Sequence, residues 1–182
     1  MSEDIRKMIN KVKNYKQFDP HKYNSFSKLI EQDLYDIAKW GLENDFSTNG
    51  AWDDANNIDD AIKNVIGGFK LLLKDKFPDG FNETPSNLKI YRFVVLKSAN
   101  ELNKNHLGYS WFTNPNRIKN PDFKQQMFHL KTTDLYLITA EIPQTKIDIP
   151  RSLFQRDMVW LENEIVLKDD TNIKVISLDK IY

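Results

Sequence analysis

The sequence predicts an α+β fold, with helices in the first half of the chain and strands in the second. Three observations lead there. Apolar residues recur at helical spacing as far as Leu72, a turn-rich break falls between Pro78 and Asn87, and β-branched and aromatic runs follow it. Helices grouped ahead of strands, rather than alternating with them, argue against a regularly wound parallel sheet.

The elements are read in chain order. Ile5, Met8, Ile9 and Val12 mark a first amphipathic helix; Phe26, Leu29, Ile30, Leu34, Ile37 and Ala38 mark a second. The stretch NDFSTNGAWDDANN, rich in Asn, Asp and Gly, separates it from a third helix on Ile58, Ala61, Ile62, Val65, Ile66, Phe69 and Leu72, for which Asp59 is the expected cap. KFPDGFNETPSN then reads as a linker, dividing the chain into a helical region over 1–80 and a mainly β region over 81–182. Strands are expected at Leu88–Leu96, Asp134–Ile142, Met158–Leu167 and Asn172–Leu178. A short helix is expected over Ser98–Asn105, because Ser98 and Glu101 stand at capping-box spacing.

Composition narrows the function classes. An apolar fraction of 40% with 29% charged residues fits a globular chain of 182 residues with a real core. Lysine and arginine total 26 against 26 acidic residues, so no global field draws in nucleic acid or an anionic membrane. The chain has no cysteine, which removes disulfides, thiolate metal sites and cysteine nucleophiles and fits a reducing compartment. The opening MSEDIRKMINKVKNYKQ lacks an apolar h-region, so the expected location is cytoplasmic, or the cytoplasm of a target cell reached by another route. His21, His106 and His129 lack metal-ligand spacing and are expected to be structural or surface residues, with no metal required.

Three features carry chemistry. Arg92 stands in a strand whose two faces are otherwise apolar, Leu88, Ile90, Val94 and Leu96 on its own side and Tyr91, Phe93 and Val95 on the other. A guanidinium cannot shed its proton there, so it must meet an anion or a set of carbonyls. A protein carboxylate would serve as well as a ligand. Glu162 and Glu164 are separated by one residue in a strand, which puts both on one face with Cα atoms about 7 Å apart; such alternation also describes a solvated strand face. The loop GYSWFTNPN, Gly108–Asn116, sets Ser110 beside Trp111 and Phe112, which suits either a binding edge or the close of a hairpin.

The order Arg92, Ser110, Glu162-x-Glu164 resembles the ADP-ribosyltransferase family of the arginine-serine-glutamate type. IYRFVV is similar to its aromatic-arginine opening strand. YSWFT stands where the family carries a Ser-Thr-Ser or Ser-Trp-Thr strand, and it departs from strict Ser-Thr-Ser. ENEIVLKDDTNIKVISL is similar to the acidic-pair segment of phage-encoded transferases and binary bacterial toxins. The resemblance runs from Leu88 to Tyr182, and each motif is short; their order is what carries it.

The resemblance implies a mixed, mainly antiparallel two-sheet core that binds NAD+ as substrate. It implies a mono-ADP-ribosyltransferase in which Glu164 and Glu162 are catalytic, while Arg92, Ser110, Trp111 and Phe112 bind the dinucleotide. Glu164 would hold the nicotinamide ribose, Glu162 would orient or deprotonate the acceptor, Arg92 would grip the pyrophosphate or a nearby ribose, Ser110 would support Glu164 and the nicotinamide ribose, and Trp111 or Phe112 would stack on nicotinamide. Arg151–Leu161 would form the loop that selects the acceptor, a protein whose modified side chain is expected to be arginine. Two other readings stay open: an inactive protein-binding module on the same fold, and a transferase acting on nucleic acid through a groove with Lys119, Lys124 and Lys131.

Overall fold

The computed structural model describes residues 18–44, 54–77, 80, 84–115, 134–154 and 164–181. The first expected helix, Glu162 and linker residues 78–79 and 81–83 lie outside these residues.

Among the described residues, two long helices precede the sheet. Helix α1, Glu31–Glu43, buries Leu34, Ile37, Ala38, Gly41 and Leu42 on one side, the stripe that the apolar spacing predicts. Phe26 falls outside this helix, in a separate 3-10 turn over Phe26–Lys28. Helix α2, Ile58–Lys76, buries Ala61, Ile62, Val65, Phe69 and Leu73. Its cap is Asn57, whose side chain accepts from the Asp60 N–H at 3.0 Å. Asp59 instead lies in the first helical turn, where its charge faces the positive end of the helix dipole.

Strands β1 (Asn87–Leu96), β2 (Ser110–Phe112), β3 (Asp134–Pro143), β4 (Glu164–Val166) and β5 (Lys174–Lys180) form one sheet in the order β4-β2-β1-β3-β5. Every pairing among them is antiparallel. This corrects the expected mixed, two-sheet core: β1 pairs along one edge with β2 and along the other with β3, so among the described residues the ladder has no break at which a second sheet begins. Between β1 and β2, the expected helix at Ser98–Asn105 is only a 3-10 turn, Ala99–Glu101. The Glu101 carboxylate accepts from the Lys97 N–H at 2.9 Å, outside the capping-box pattern, and Ser98 makes no capping bond.

The ladder fixes which residues share a face. Leu88, Ile90, Trp111, Ile138, Ala140, Ile142 and Ile165 belong to the same buried cluster as the inward residues of α1 and α2. A third helix, α3 (Ile149–Phe154), closes that cluster: the Phe154 ring meets Phe69 edge-on at 4.9 Å between centroids. Phe154 also lies over Gly41, where a Cβ would fall 1.8 Å from a ring carbon, so only glycine lets α1 approach this closely. Among the described residues no helix is long and apolar enough to cross a membrane.

Candidate functional site

β1 starts under the helices and leaves their cover halfway along. Leu88 and Ile90 are buried, whereas Arg92 and Val94, on the same face, are half-buried. Beyond Ile90 the 3-10 turn and the segment to Gly108 take over from the helices, leaving a cleft of about 440 Å³ lined by Arg92, Leu102, Asn103, His106, Leu107 and Gly108 among others. The cation that looked anomalous in the sequence therefore sits where the core ends and a cavity begins.

Arg92 has a built seat. Its Nη1 donates to the Ser110 carbonyl at 2.6 Å, and its guanidinium lies flat against Gly108. Gly108 has φ +84°, and a Cβ there would stand 2.8 Å from Cζ and from both terminal nitrogens. The glycine serves both the left-handed backbone and the space for the cation. Burial pushes the Arg92 guanidinium below its usual value, while the Glu164 and then the Asp170 carboxylates pull it back up. Neither carboxylate forms an ion pair with it, and among the described residues Ser110 is its one hydrogen-bond partner. Asp170, itself buried, accepts from the Gly108 N–H at 3.3 Å and lies 3.7 Å from His106 Nδ1, so it steadies the segment on which Arg92 rests.

The Ser-Trp-Phe strand is built differently from the expected binding edge. Trp111 is 0% exposed, and its Nε1 donates to the Gly108 carbonyl at 2.8 Å, so the indole is core packing that also holds the Gly108 turn. Phe112 lies between Tyr91 and Phe93, with ring centroids at 5.7 and 5.2 Å, in an aromatic row on the opposite face from the helices. Ser110 is half-buried; its carbonyl holds Arg92, and its hydroxyl makes no hydrogen bond within the described residues.

Glu164 lies in β4, at the edge of the sheet among the described residues, paired with Phe112, and is 5% exposed. Residues paired across an antiparallel ladder share a face, so Glu164, Phe112 and Tyr91 lie together, with Ser110 diagonal to Glu164. Arg92, one residue on from Tyr91, starts from the other face beside Trp111 and Ile165. The structure thus brings Arg92, Ser110 and Glu164 onto three adjacent strands within electrostatic reach. It does not put Glu164 among the lining residues of the Arg92 cleft.

The segment expected to select the acceptor, Arg151–Leu161, is not a loop at its start: residues 151–154 complete α3. Ser152 locks this helix to β4, accepting from the Val166 N–H at 2.8 Å and donating to the Asp148 carbonyl at 2.7 Å. Residues 155–161, Lys119, Lys124, Lys131 and His129 lie outside the described residues. His21 and His106 are exposed, and among the described residues no three His, Asp or Glu side chains gather as metal ligands.

Sequence reasoning missed Gly108, Asp170 and Lys76. Gly108 carries a signal, being the one glycine after Gly80 and placed just before a strand. Lys76 carries another, since it falls on the buried stripe of α2, three residues after Leu73. Asp170 carries none. No family model, curated protein or solved structure matches the chain.

Proposed function

We propose that the chain is a mono-ADP-ribosyltransferase that cleaves NAD+ at the nicotinamide glycosidic bond and transfers ADP-ribose to a protein acceptor, with arginine as the acceptor side chain. The observation that carries this reading is the Arg92 seat. A guanidinium has five N–H donors, and here one of them meets Ser110 while the cleft beside the rest holds no carboxylate partner among the described residues. A half-buried cation with spare donors at a cavity matches a phosphate-bearing ligand, which a guanidinium can bind through two parallel bonds. The order of motifs, which resembles that family, makes the ligand a dinucleotide.

In this mechanism the C–N bond between ribose and nicotinamide breaks, and its electron pair leaves with the nicotinamide nitrogen. Positive charge develops on the sugar as in glycoside hydrolysis. The Glu164 carboxylate stabilises that charge more than the neutral ribose, and only such a difference accelerates the step. The acceptor nitrogen then supplies the pair for the new C–N bond, and Glu162 takes its proton, a general-base contribution of about 10²- to 10⁴-fold. Ser110, diagonal to Glu164 on the same face, offers it a hydroxyl. Trp111 is committed to the core, which leaves the aromatic row around Phe112 as the flat surface beside Glu164.

Nicotinamide release from NAD+ tests the assignment, with Glu164→Gln as the paired control. A loss of at least about 100-fold is expected, the scale for removing a key electrostatic group; equal turnover in the two folded proteins overturns it. Glu162→Gln keeps much of the NAD+ hydrolysis and loses transfer to arginine.

A second reading, a protein-binding module without catalysis, is favoured by one observation: strand alternation starts Arg92 and Glu164 from opposite faces. NAD+ binding without nicotinamide release, or no NAD+ binding at all, would select it.

A further inference from the structure

Lys76 is 1% exposed, although its neighbours Lys74 and Asp75 lie in water. A buried ammonium is costly unless strong acceptors meet it, and this one donates to the carbonyl oxygen of Glu164 at 2.5 Å. The helix end that carries it is itself pinned. The last carbonyls of a helix lack partners within it, and here Thr113 Oγ1 donates to the Lys76 carbonyl while Asn114 Nδ2 donates to that of Asp75 at 3.3 Å. Thr113 and Asn114 directly follow β2, the strand on which β4 is laddered. A chain of contacts therefore runs from the end of β2, through the last turn of α2, to Glu164 in β4. Among the described residues that strand runs Glu164–Val166 and has a single neighbour in the sheet, β2. The ladder holds Glu164 from one side, through Phe112, and the Lys76 bond holds its backbone from another.

We propose that Lys76 is the positioning residue for Glu164: its bond to the Glu164 carbonyl sets the backbone from which the carboxylate reaches the ribose. The proposal rests on the reading of Glu164 given above. Misplacing a reacting group by about 1 Å can cost on the order of 100-fold in rate. The seat of Arg92 does not pass through Lys76, so kcat falls while KM for NAD+ stays. A residue that merely supports folding would change the active fraction, and arginine in its place would not restore turnover per folded molecule.

The experiment compares K76M, which keeps the length and loses the donor, with K76R, which keeps both donor and charge, in nicotinamide release normalised to folded protein. A fall in kcat of about tenfold or more in K76M at unchanged KM, largely recovered in K76R, supports the proposal. Wild-type kcat in folded K76M overturns it, as does a loss that K76R leaves unrecovered. If K76M does not fold, T113V decides, because it removes the bond that holds the Lys76 carbonyl: a kcat lowered about threefold or more at unchanged KM supports the proposal, and wild-type values overturn it. If the wild-type chain itself releases no nicotinamide, the functional reading has failed independently. Lys76 is then read by amide exchange of residues 164–166 in K76M, or in T113V should K76M not fold. Exchange about tenfold faster than wild type keeps the positioning role, and equal exchange removes it.

Discussion

Gly108→Ala probes the Arg92 seat more sharply than any change to Arg92 itself. An added methyl meets two separate obstacles. The backbone is left-handed, at φ +84°, and a side chain there costs roughly 1–2 kcal/mol. The new Cβ also lies 2.8 Å from Cζ, Nη1 and Nη2 of Arg92, closer than van der Waals contact allows. The guanidinium must move, and moving it lengthens the 2.6 Å bond to the Ser110 carbonyl. A hydrogen bond from a charged donor contributes about 1.5–3 kcal/mol, of which the half-exposed group forfeits a part. Together these give a loss of about 2–4 kcal/mol, or a fall in Tm of about 5–15 °C for a chain of this size. The assay is urea denaturation of wild type, Gly108→Ala, Arg92→Ala and the double variant, closed as a cycle. In the Arg92→Ala background the methyl meets no guanidinium, so Gly108→Ala should cost only the backbone part. A penalty that is the same in both backgrounds would refute the claim that Arg92 occupies the space over Gly108. A single-variant cost below about 0.5 kcal/mol would refute the strain argument as well.

Two further outcomes follow from contacts on either side of β4. Ser152→Ala leaves the Val166 N–H without its side-chain acceptor and should cost about 1–3 kcal/mol in denaturant unfolding; a variant within about 0.5 kcal/mol of wild type would show that the bond between α3 and β4 contributes little. Asp169 is held down to about 2 by hydrogen bonds from Lys146 and Thr171, so its contribution is complete above the ordinary carboxylate value and disappears as pH falls from about 4 through about 2. Its carboxylate is half-exposed, which limits the contribution to about 1 kcal/mol or less. Wild type should therefore exceed Asp169→Asn slightly at neutral pH and converge with it near pH 2, and a gap that persists at pH 2 would contradict the assignment.

The sequence was most informative where burial follows a period. The inward residues of α1 and α2 appear at helical spacing, and β1 and β3 fall within a residue of where alternation and β-branching set them. It was least informative where partners come from distant parts of the chain. Trp111 and Phe112 suited either a binding edge or the close of a hairpin, and local sequence could not choose: adjacent strand residues face opposite ways, and the ladder sends one into the core and the other into an aromatic row. The two-sheet expectation came from resemblance, whereas sheet number depends on whether β1 is paired on both edges, which no local pattern encodes. Asp59 and Asn57 are both acceptable caps, and backbone geometry chose between them. Arg92 and Glu164 were legible as residue types out of place. Lys76 was legible only as a lysine on the buried stripe of its helix; the distant carbonyl of Glu164 that it meets there was not.

The hydrophobic cluster crosses the turn between the helices and the sheet without a seam, and Gln144 stitches it shut by accepting from the Phe26 amide at 2.9 Å while donating to the Pro85 carbonyl at 2.5 Å. The two halves are therefore not interchangeable modules. A chimera or truncation that keeps only the strands would turn Ile90, Trp111 and Ile165 out to solvent, and it would fail by aggregation before any question of chemistry arose.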